Sequence, residues 1–274
     1  MNHPFRIAIL DFYNDYPNEG MRCIKTLIER FFHTENIQGS YKLYDVRGKG
    51  ELPTLSEFDA FIGTGGPGSP IFEGEQWEAD YGDFLDEVLE WNKTQEPKKQ
   101  GLLICHSYQM MVQHYHLALV CSRKSTSFGV MPVHKTEEGL NEPLFEHLED
   151  PFWAVDSRDY QVIQPHEEVL NALGAKIIAL EKIRPHVPLE RAIMGIRLSD
   201  EIVGLQFHPE ADPEGMRRYF RSEDKRMAVI TEHGEEKLHT MLEQLEDEDK
   251  IRKTESVIIP DFLKMAAQQN LETC

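Results

Sequence analysis

Cysteine is scarce in this sequence. The 274 residues include four, which stand far apart as Cys23, Cys105, Cys121 and Cys274 and form no C-x-x-C pair. This spacing fits neither the disulfide framework of a small secreted domain nor a cysteine-based zinc site. We therefore expect a fold without structural disulfides.

Long hydrophobic runs and a secretion signal are also missing. No apolar run reaches the roughly 18 to 20 residues that a membrane-spanning helix needs. The first residues, MNHPFRIAILDF, lack the basic segment, apolar stretch and cleavage site of a signal peptide. We interpret residues 5–12 as a first strand and expect a cytoplasmic protein that does not bind membranes.

Positively charged residues are fewer than negatively charged ones. Lys and Arg number 29 against 48 Asp and Glu, which gives a formal net charge of -19 and a pI near 5.0. Nucleic acids and anionic membranes repel such a surface, so neither is an expected partner. His114 and His116 are two residues apart and do not share a helix face, and we expect no metal or other cofactor.

Strands and helices alternate through the first half of the chain. Apolar, β-branched runs predict strands at residues 5–12, 41–46, 58–62 and 101–104, and helical spacing predicts helices at 19–32, 77–91 and 108–115. This alternation predicts an α/β fold with a mostly parallel central sheet and helices on both faces.

The second half is predicted to add antiparallel edge strands and then helices. Strand-like runs occupy residues 117–133, 152–163, 175–181, 192–198 and 202–207, and helices are predicted at 213–220, 235–250 and 261–269. We expect a main domain over residues 1–212 and a helical extension, 213–274, packed on it. The apolar stripe of the extension is Leu238, Met241, Leu242 and Leu245. An apolar stripe of this kind must be buried against another surface. We favour burial against the edge of the chain's own sheet, and the alternative is burial against a second copy in a homodimer.

A glycine-rich loop, GTGGPGSP at residues 63–70, follows the third strand. Because glycine lacks Cβ, the backbone N–H groups of such a loop can approach an anion or an oxyanion. Phosphate binding is one interpretation, although the GxxxxGK[ST] pattern is absent, and a plain turn is another.

Cys105 stands where an apolar strand meets a helix, in the segment GLLICHSYQ. This arrangement is typical of a nucleophile elbow, which exposes the thiol at the carboxyl edge of the sheet. The helix N-terminus favours the thiolate. A buried core cysteine is the alternative interpretation.

The segment GLQFHPE, residues 204–210, places His208 at a strand end and Glu210 two residues later. A carboxylate in this position can bind the second imidazole nitrogen and make His208 a competent base. An oxyanion loop, a thiol and a His–Glu pair, in this order, are more specific together than any one of them.

These three motifs resemble the class I glutamine amidotransferase family, in the branch similar to the glutaminase domain of GMP synthase. The similarity covers roughly residues 7–210. It implies the flavodoxin-like fold of that family, with Cys105 as nucleophile, His208 as base and Glu210 as the group that orients the base. It also implies an oxyanion hole built from the backbone of Gly66 and the N–H of His106. The predicted substrate-binding residues are Gly65, Gln109, Ser157 and Arg158.

The sequence departs from the family pattern at four places, one of which is Ser127-Phe128-Gly129, where the family has Glu-x-Gly. Leu103 and Ser107 stand where the family elbow has glycines, and Ser157-Arg158 replaces a common Ser-His. Arg158 would pair a carboxylate on an altered substrate, or else point into solvent.

The leading functional hypothesis is a cysteine-dependent amidase. Cys105 would attack the γ-amide of glutamine or of a γ-glutamyl-like compound and form a thioester. A separate synthetase subunit would accept the ammonia, or the enzyme would act alone. The alternative is a catalytically silent binding or regulatory subunit that keeps the fold.

Overall fold

The computed structural model describes residues 4–272, with the side chains of a few residues between 225 and 272 excepted. Cys274, the last of the four cysteines, lies outside the described residues. The strands are β1 (Phe5–Asp11), β2 (Gly39–Asp45), β3 (Ala60–Gly63), β4 (Gln100–Ile104), β5 (Ala118–Lys135), β6 (Phe152–Pro165), β7 (Lys176–Glu181), β8 (Ile193–Arg197) and β9 (Ile202–Leu205). The helices are α1 (Glu19–Thr34), α2 (Val46–Lys49), α3 (Gln76–Thr94), α4 (His106–His114), α5 (Glu167–Leu173), α6 (Pro213–Arg221), α7 (Glu223–His233), α8 (Glu235–Gln244) and α9 (Lys253–Glu272).

Within the described range the strands form one nine-stranded sheet in the order β2-β1-β3-β4-β9-β8-β7-β5-β6. The first five are parallel to one another. The remaining four pair in antiparallel fashion along one edge. The predicted α/β architecture is confirmed.

Both faces of the sheet are covered by helices, as the side chains of β1 illustrate. Ile7 and Ile9 pack with residues of α1 and α9, whereas Ala8 and Leu10 pack with residues of α3 and α4. Strands β3 and β4 are buried along their whole length, as expected for parallel strands between two helical layers. Among the described residues no helix is both long and apolar enough to cross a membrane.

The position of β9 corrects one prediction. We grouped residues 202–207 with the added edge strands, but β9 lies beside β4 and parallel to it. The turn at residues 199–201 reverses the chain from β8 and directs β9 into the interior of the sheet. This position brings the end of β9 next to the end of β4.

Helices α6 to α8 of the extension cover the antiparallel end of the sheet, whereas α9 packs with β1 and α1. Leu238, Met241 and Leu245 are buried in a cluster that also contains Phe128 of β5 and Val155 of β6. The fourth residue of the predicted stripe, Leu242, remains 39% exposed.

Two helix boundaries were predicted wrongly. The helix predicted at residues 235–250 ends at Gln244, next to the buried Leu245. The charged residues 246–250 that follow offer no apolar side chain to bury before Ile251. The last helix begins at Lys253 rather than 261, and Pro260 lies inside it. An interior proline costs about 3 kcal/mol, and burial of Ile258 and Ile259 in the core offsets that cost.

Helices α2, α5 and α7 were not predicted. The short α5 buries only Leu170, so it leaves almost no periodic signal in the sequence.

Candidate active site

The junction between β4 and α4 holds Cys105 in a strained conformation. Its φ is 51° and its ψ is -96°, a region that residues other than glycine rarely adopt and that costs on the order of 1–3 kcal/mol. Neighbouring backbone holds it there: its N–H donates to the carbonyl of Leu205 at 2.7 Å, and its own carbonyl accepts from the N–H of Gln109 at 2.9 Å. The geometry is that of a nucleophile elbow.

The two departures from the family elbow are accommodated by Gly63 at the end of β3. A Cβ on Gly63 would lie 2.9 Å from Cδ2 of Leu103 and 2.8 Å from Oγ of Ser107. The Ser107 hydroxyl also accepts a hydrogen bond from the N–H of Ile104 at 2.9 Å. The space that glycines provide in the family elbow is therefore provided here by the facing strand.

His208 and Glu210 form a close pair. Nδ1 of His208 lies 2.8 Å from Oε1 of Glu210, whose side chain is 1% exposed. The backbone of His208 is held to the sheet by its N–H, which donates to the carbonyl of Val155 at 2.8 Å. Burial lowers the pKa of His208, but the charges of Glu210 and Cys105 outweigh burial and raise that pKa well above the ordinary value.

Gly65 lies where the loop after β3 meets these side chains. A Cβ on Gly65 would lie 2.8 Å from Cε1 of His208 and 3.6 Å from Cβ of Cys105. The structure thus brings the glycine-rich loop, the thiol and the imidazole together at one edge of the sheet. Any side chain at residue 65 would push the His208 ring away.

The neighbouring Gly66 is packed against the backbone after β1. A Cβ there would lie 2.3 Å from the carbonyl oxygen of Phe12. The ring of His106 is hydrogen-bonded to the Gly66 backbone, and burial lowers the pKa of that ring to about 3 with help from the charge of Arg47. His106 is therefore a neutral side chain that supports the glycine-rich loop.

The sulfur of Cys105 also has amide neighbours. It lies 3.9 Å from the carbonyl oxygen of Ser157 and 3.7 Å from Nε2 of Gln206. Gln109 donates to the side-chain oxygen of Gln206 at 2.9 Å. A cavity of about 440 Å³ contains Cys105 and His208 and is also bordered by Gly66, Gln109, Ser157 and Arg158.

Arg158 does not point into solvent, so that interpretation is wrong. Its side chain is 1% exposed, and Nε donates to Asp156 at 2.8 Å. Its Nη2 donates to Glu181 at 3.2 Å, and the same Glu181 oxygen accepts from Arg123 at 3.1 Å. Burial alone lowers the pKa of Arg158, but these two carboxylates raise it overall.

Sequence reasoning missed several residues of the site. Tyr13 follows β1 and borders the same cavity, and burial together with the charges of Glu210 and Cys105 raises its pKa well above the ordinary value. A Cβ on Gly20 would lie 2.1 Å from the Tyr13 hydroxyl and 3.0 Å from Oε1 of Glu210. One signal was available for Tyr13: it follows a parallel strand at the edge of the sheet where ligands bind.

Cys23 and Tyr219 were also missed as neighbours of the site. Cys23, on α1, shares a cavity with Glu210, and burial raises the pKa of its thiol to about 12. Tyr219 comes from α6 in the helical extension and borders the Cys105 cavity. No motif in the sequence indicated either position. In the part of the chain that the structure describes, no group of three or more His, Cys, Asp or Glu side chains is arranged to hold a metal ion.

Comparison with known families agrees with this geometry. Residues 24–224 match the sequence model of glutamine amidotransferase class-I. The chain therefore belongs to the class I glutamine amidotransferase family. A curated relative, a homoserine O-acetyltransferase from Catenibacterium mitsuokai, is 25% identical over 182 residues, which are 65% of this chain. The match spans about half of that relative, 53% of its length.

Solved structures share the fold. A glutamine amidotransferase from Thermotoga maritima matches with a TM-score of 0.68 at 18% identity, over 97% of this chain and 99% of that one. A protein from Thermoplasma acidophilum, described as a candidate GMP synthase subunit, matches with a TM-score of 0.57 at 15% identity, over 100% of this chain and 99% of that one. The predicted family and fold are thus confirmed.

Proposed function

We propose that this protein is a cysteine-dependent hydrolase or transferase that cleaves a γ-glutamyl amide. The Cys105 sulfur attacks the amide carbonyl, and the backbone N–H groups of Gly66 and His106 stabilise the oxyanion. His208 then protonates the leaving amine, so that the C–N bond breaks and a thioester remains. Water, activated by the now neutral His208, hydrolyses the thioester and releases the acid.

The observation that carries the proposal is the strained backbone of Cys105 beside His208, which is paired with the buried carboxylate of Glu210. A φ of 51° at a cysteine is a cost to folding, and a buried carboxylate is costly unless it has a partner. A silent binding protein has no need of either. The silent alternative was motivated by the changes at Leu103, Ser107 and Arg158. The first two are accommodated by Gly63 without loss of the elbow, and Arg158 is held by Asp156 and Glu181.

The remaining site residues receive roles in substrate binding. Gly65, Gln109 and Ser157 border the Cys105 cavity or its sulfur, so we assign them to the glutamyl part of the substrate. Arg158 borders the same cavity, but its guanidinium is already paired with Asp156 and Glu181, so we assign it to supporting the substrate-binding strand β6 and not to pairing a substrate carboxylate. Delivery of ammonia to a separate synthetase subunit and a cytoplasmic location are further parts of this proposal. The apolar stripe that could have required a homodimer packs instead against side chains of β5 and β6.

A second candidate is transfer of an acyl group to a hydroxyl acceptor. It is favoured by the similarity of 182 residues to a protein named homoserine O-acetyltransferase. Both activities pass through a thioester on a cysteine, and they differ in the group that accepts the acyl unit.

The test is labelling of the purified protein with an electrophilic glutamine analogue, followed by intact mass measurement. We expect one equivalent on the wild-type protein and on Cys121→Ala, and none on Cys105→Ala. Ammonia release from glutamine and amine release from γ-glutamyl amides are measured in parallel. A folded wild-type protein that is neither labelled nor active on any of these compounds would contradict the proposal and favour the silent alternative. Ester formation from an acyl donor and a hydroxyl acceptor, without amide cleavage, would favour the second candidate.

A further inference from the structure

A second cavity of about 440 Å³ lies on the Glu210 side of the site. The extension and the antiparallel strands supply most of its apolar wall, which consists of Phe128, Val155, Ala211, Met216 and Tyr219. Cys105 is not part of it, whereas His208 and Glu210 are. The cavity is therefore adjacent to the base rather than to the nucleophile.

The two cavities adjoin each other. The residues that border both are Tyr13, Pro17, Asn18, Ser157, His208 and Tyr219. His208 thus stands between the cavity that holds the sulfur and the apolar one. In the proposed reaction the leaving amine takes its proton from His208, so a substituent on that amine has direct access to the apolar cavity.

The charges around the apolar cavity limit what it can receive. Glu19 and Asp212 are both ion-paired with Arg22, at 2.6 and 2.8 Å, and Glu210 is paired with His208. Among the described residues, no lysine or arginine lines this cavity. His208 also lines the cavity, but its charge is already paired with Glu210. A negatively charged substituent would therefore meet carboxylates and no unpaired cation among these lining residues, which is unfavourable in an apolar setting.

We propose that the preferred substrate is an N-substituted γ-glutamyl amide rather than glutamine. The substituent on its leaving amine is mainly apolar and is either uncharged or positively charged, but not negatively charged. Ammonia is similar in size to water, which occupies about 30 Å³, and the apolar cavity is more than ten times larger. This inference rests on the proposed amidase chemistry. The bonds formed and broken are the same as in the proposed reaction: the sulfur–carbon bond forms, the C–N bond breaks, and the substituted amine leaves with the proton of His208.

The experiment compares glutamine with γ-glutamyl methylamide, propylamide, hexylamide and benzylamide. Each buried methylene is worth about 0.8 kcal/mol, so kcat/KM should rise about fourfold per added methylene until the cavity is filled. A γ-glutamyl amide of 6-aminohexanoate, which adds a carboxylate to the hexyl chain, should be a poorer substrate than the hexylamide. A series in which kcat/KM stays flat or falls from glutamine onward, or in which the carboxylate is preferred, would overturn the inference.

A variant that fills the cavity provides a second measurement. Ala211→Phe should lower the ratio of hexylamide to glutamine kcat/KM by at least tenfold, and Met216→Trp serves if that protein does not fold. Met241→Leu is the matched control, because Met241 is fully buried in the same helical cluster and does not line the cavity. The ratio of hexylamide to glutamine kcat/KM in Met241→Leu should equal that of the wild-type protein. An unchanged ratio in both folded, cavity-filling variants would refute the assignment of the cavity.

The outcomes also separate this inference from the proposed function. Turnover of glutamine with no preference for apolar amides leaves the amidase proposal intact and removes only the inference. No turnover of any γ-glutamyl compound, together with no chain-length dependence of amide binding to the Cys105→Ala protein, removes both.

Discussion

Acid should destabilise this protein through one particular side chain, His106. Its ring is 1% exposed, and its Nε2 has no hydrogen-bond partner among the described residues. The ring lies against that of Phe12, with centroids 6.0 Å apart. Burial and the charge of Arg47 lower the pKa of His106 to about 3. Protonation in the folded state would place a charge in an apolar site.

The size of the stability loss follows from the linkage between protonation and folding. In the unfolded chain a histidine has a pKa of about 6.5, so below that value the unfolded state binds a proton that the folded state does not. The folded pKa is the lower one, and stability is therefore complete above about pH 6.5 and is lost as the pH falls towards 3. Between pH 7 and pH 4.5, His106 alone should lower the free energy of unfolding by about 2.5 kcal/mol.

The assay is urea unfolding at pH 7 and pH 4.5 for the wild type and for His106→Gln, which cannot titrate. The loss of stability between the two pH values should be smaller in His106→Gln by about 2.5 kcal/mol. His147→Gln is the control, because His147 is exposed, and it should lose as much stability as the wild type. Equal losses in His106→Gln and the wild type would refute the reasoning.

Three further predictions concern the base, the ion-pair network and the extension. His208→Gln should lower kcat/KM about 10² to 10⁴-fold and Glu210→Gln less, since the first transfers protons and the second orients; normal turnover in folded His208→Gln would exclude it as the base. Arg158→Ala should lower the free energy of unfolding by about 3–5 kcal/mol in urea titrations, because the buried Asp156 loses its ion-pair partner and the buried Glu181 loses one of three. A raised KM with unchanged stability would instead show that Arg158 binds substrate and is not needed for folding. Truncation after Phe220 should cause aggregation in size-exclusion chromatography, because it uncovers apolar side chains of the β5–β6 pair. A stable truncated monomer would contradict this.

Local sequence patterns were sufficient to predict most of the fold, and together with the family resemblance they indicated the three chemical motifs. The alternation of buried strands and amphipathic helices is a nearest-neighbour property, and it predicted the parallel sheet around β1, β3 and β4. The strand–cysteine–helix junction predicted the elbow at Cys105 for the same reason. The spacing of His208 and Glu210 was also enough to predict that their side chains pair, because residues two positions apart at a strand end lie close together regardless of the rest of the fold.

The tertiary structure alone decided the features that depend on residues far apart in sequence. The placement of β9 beside β4 brings His208 to the sheet edge that carries Cys105, and no local pattern states which strands are neighbours. The space that Leu103 needs comes from Gly63, forty positions earlier in the numbering. Arg158 was expected to bind substrate or to face water, and its burial depends on Glu181, which arrives from β7. Side-chain surroundings of this kind are set by packing between distant elements, which is why the apolar cavity beside His208 could be found only in the folded chain.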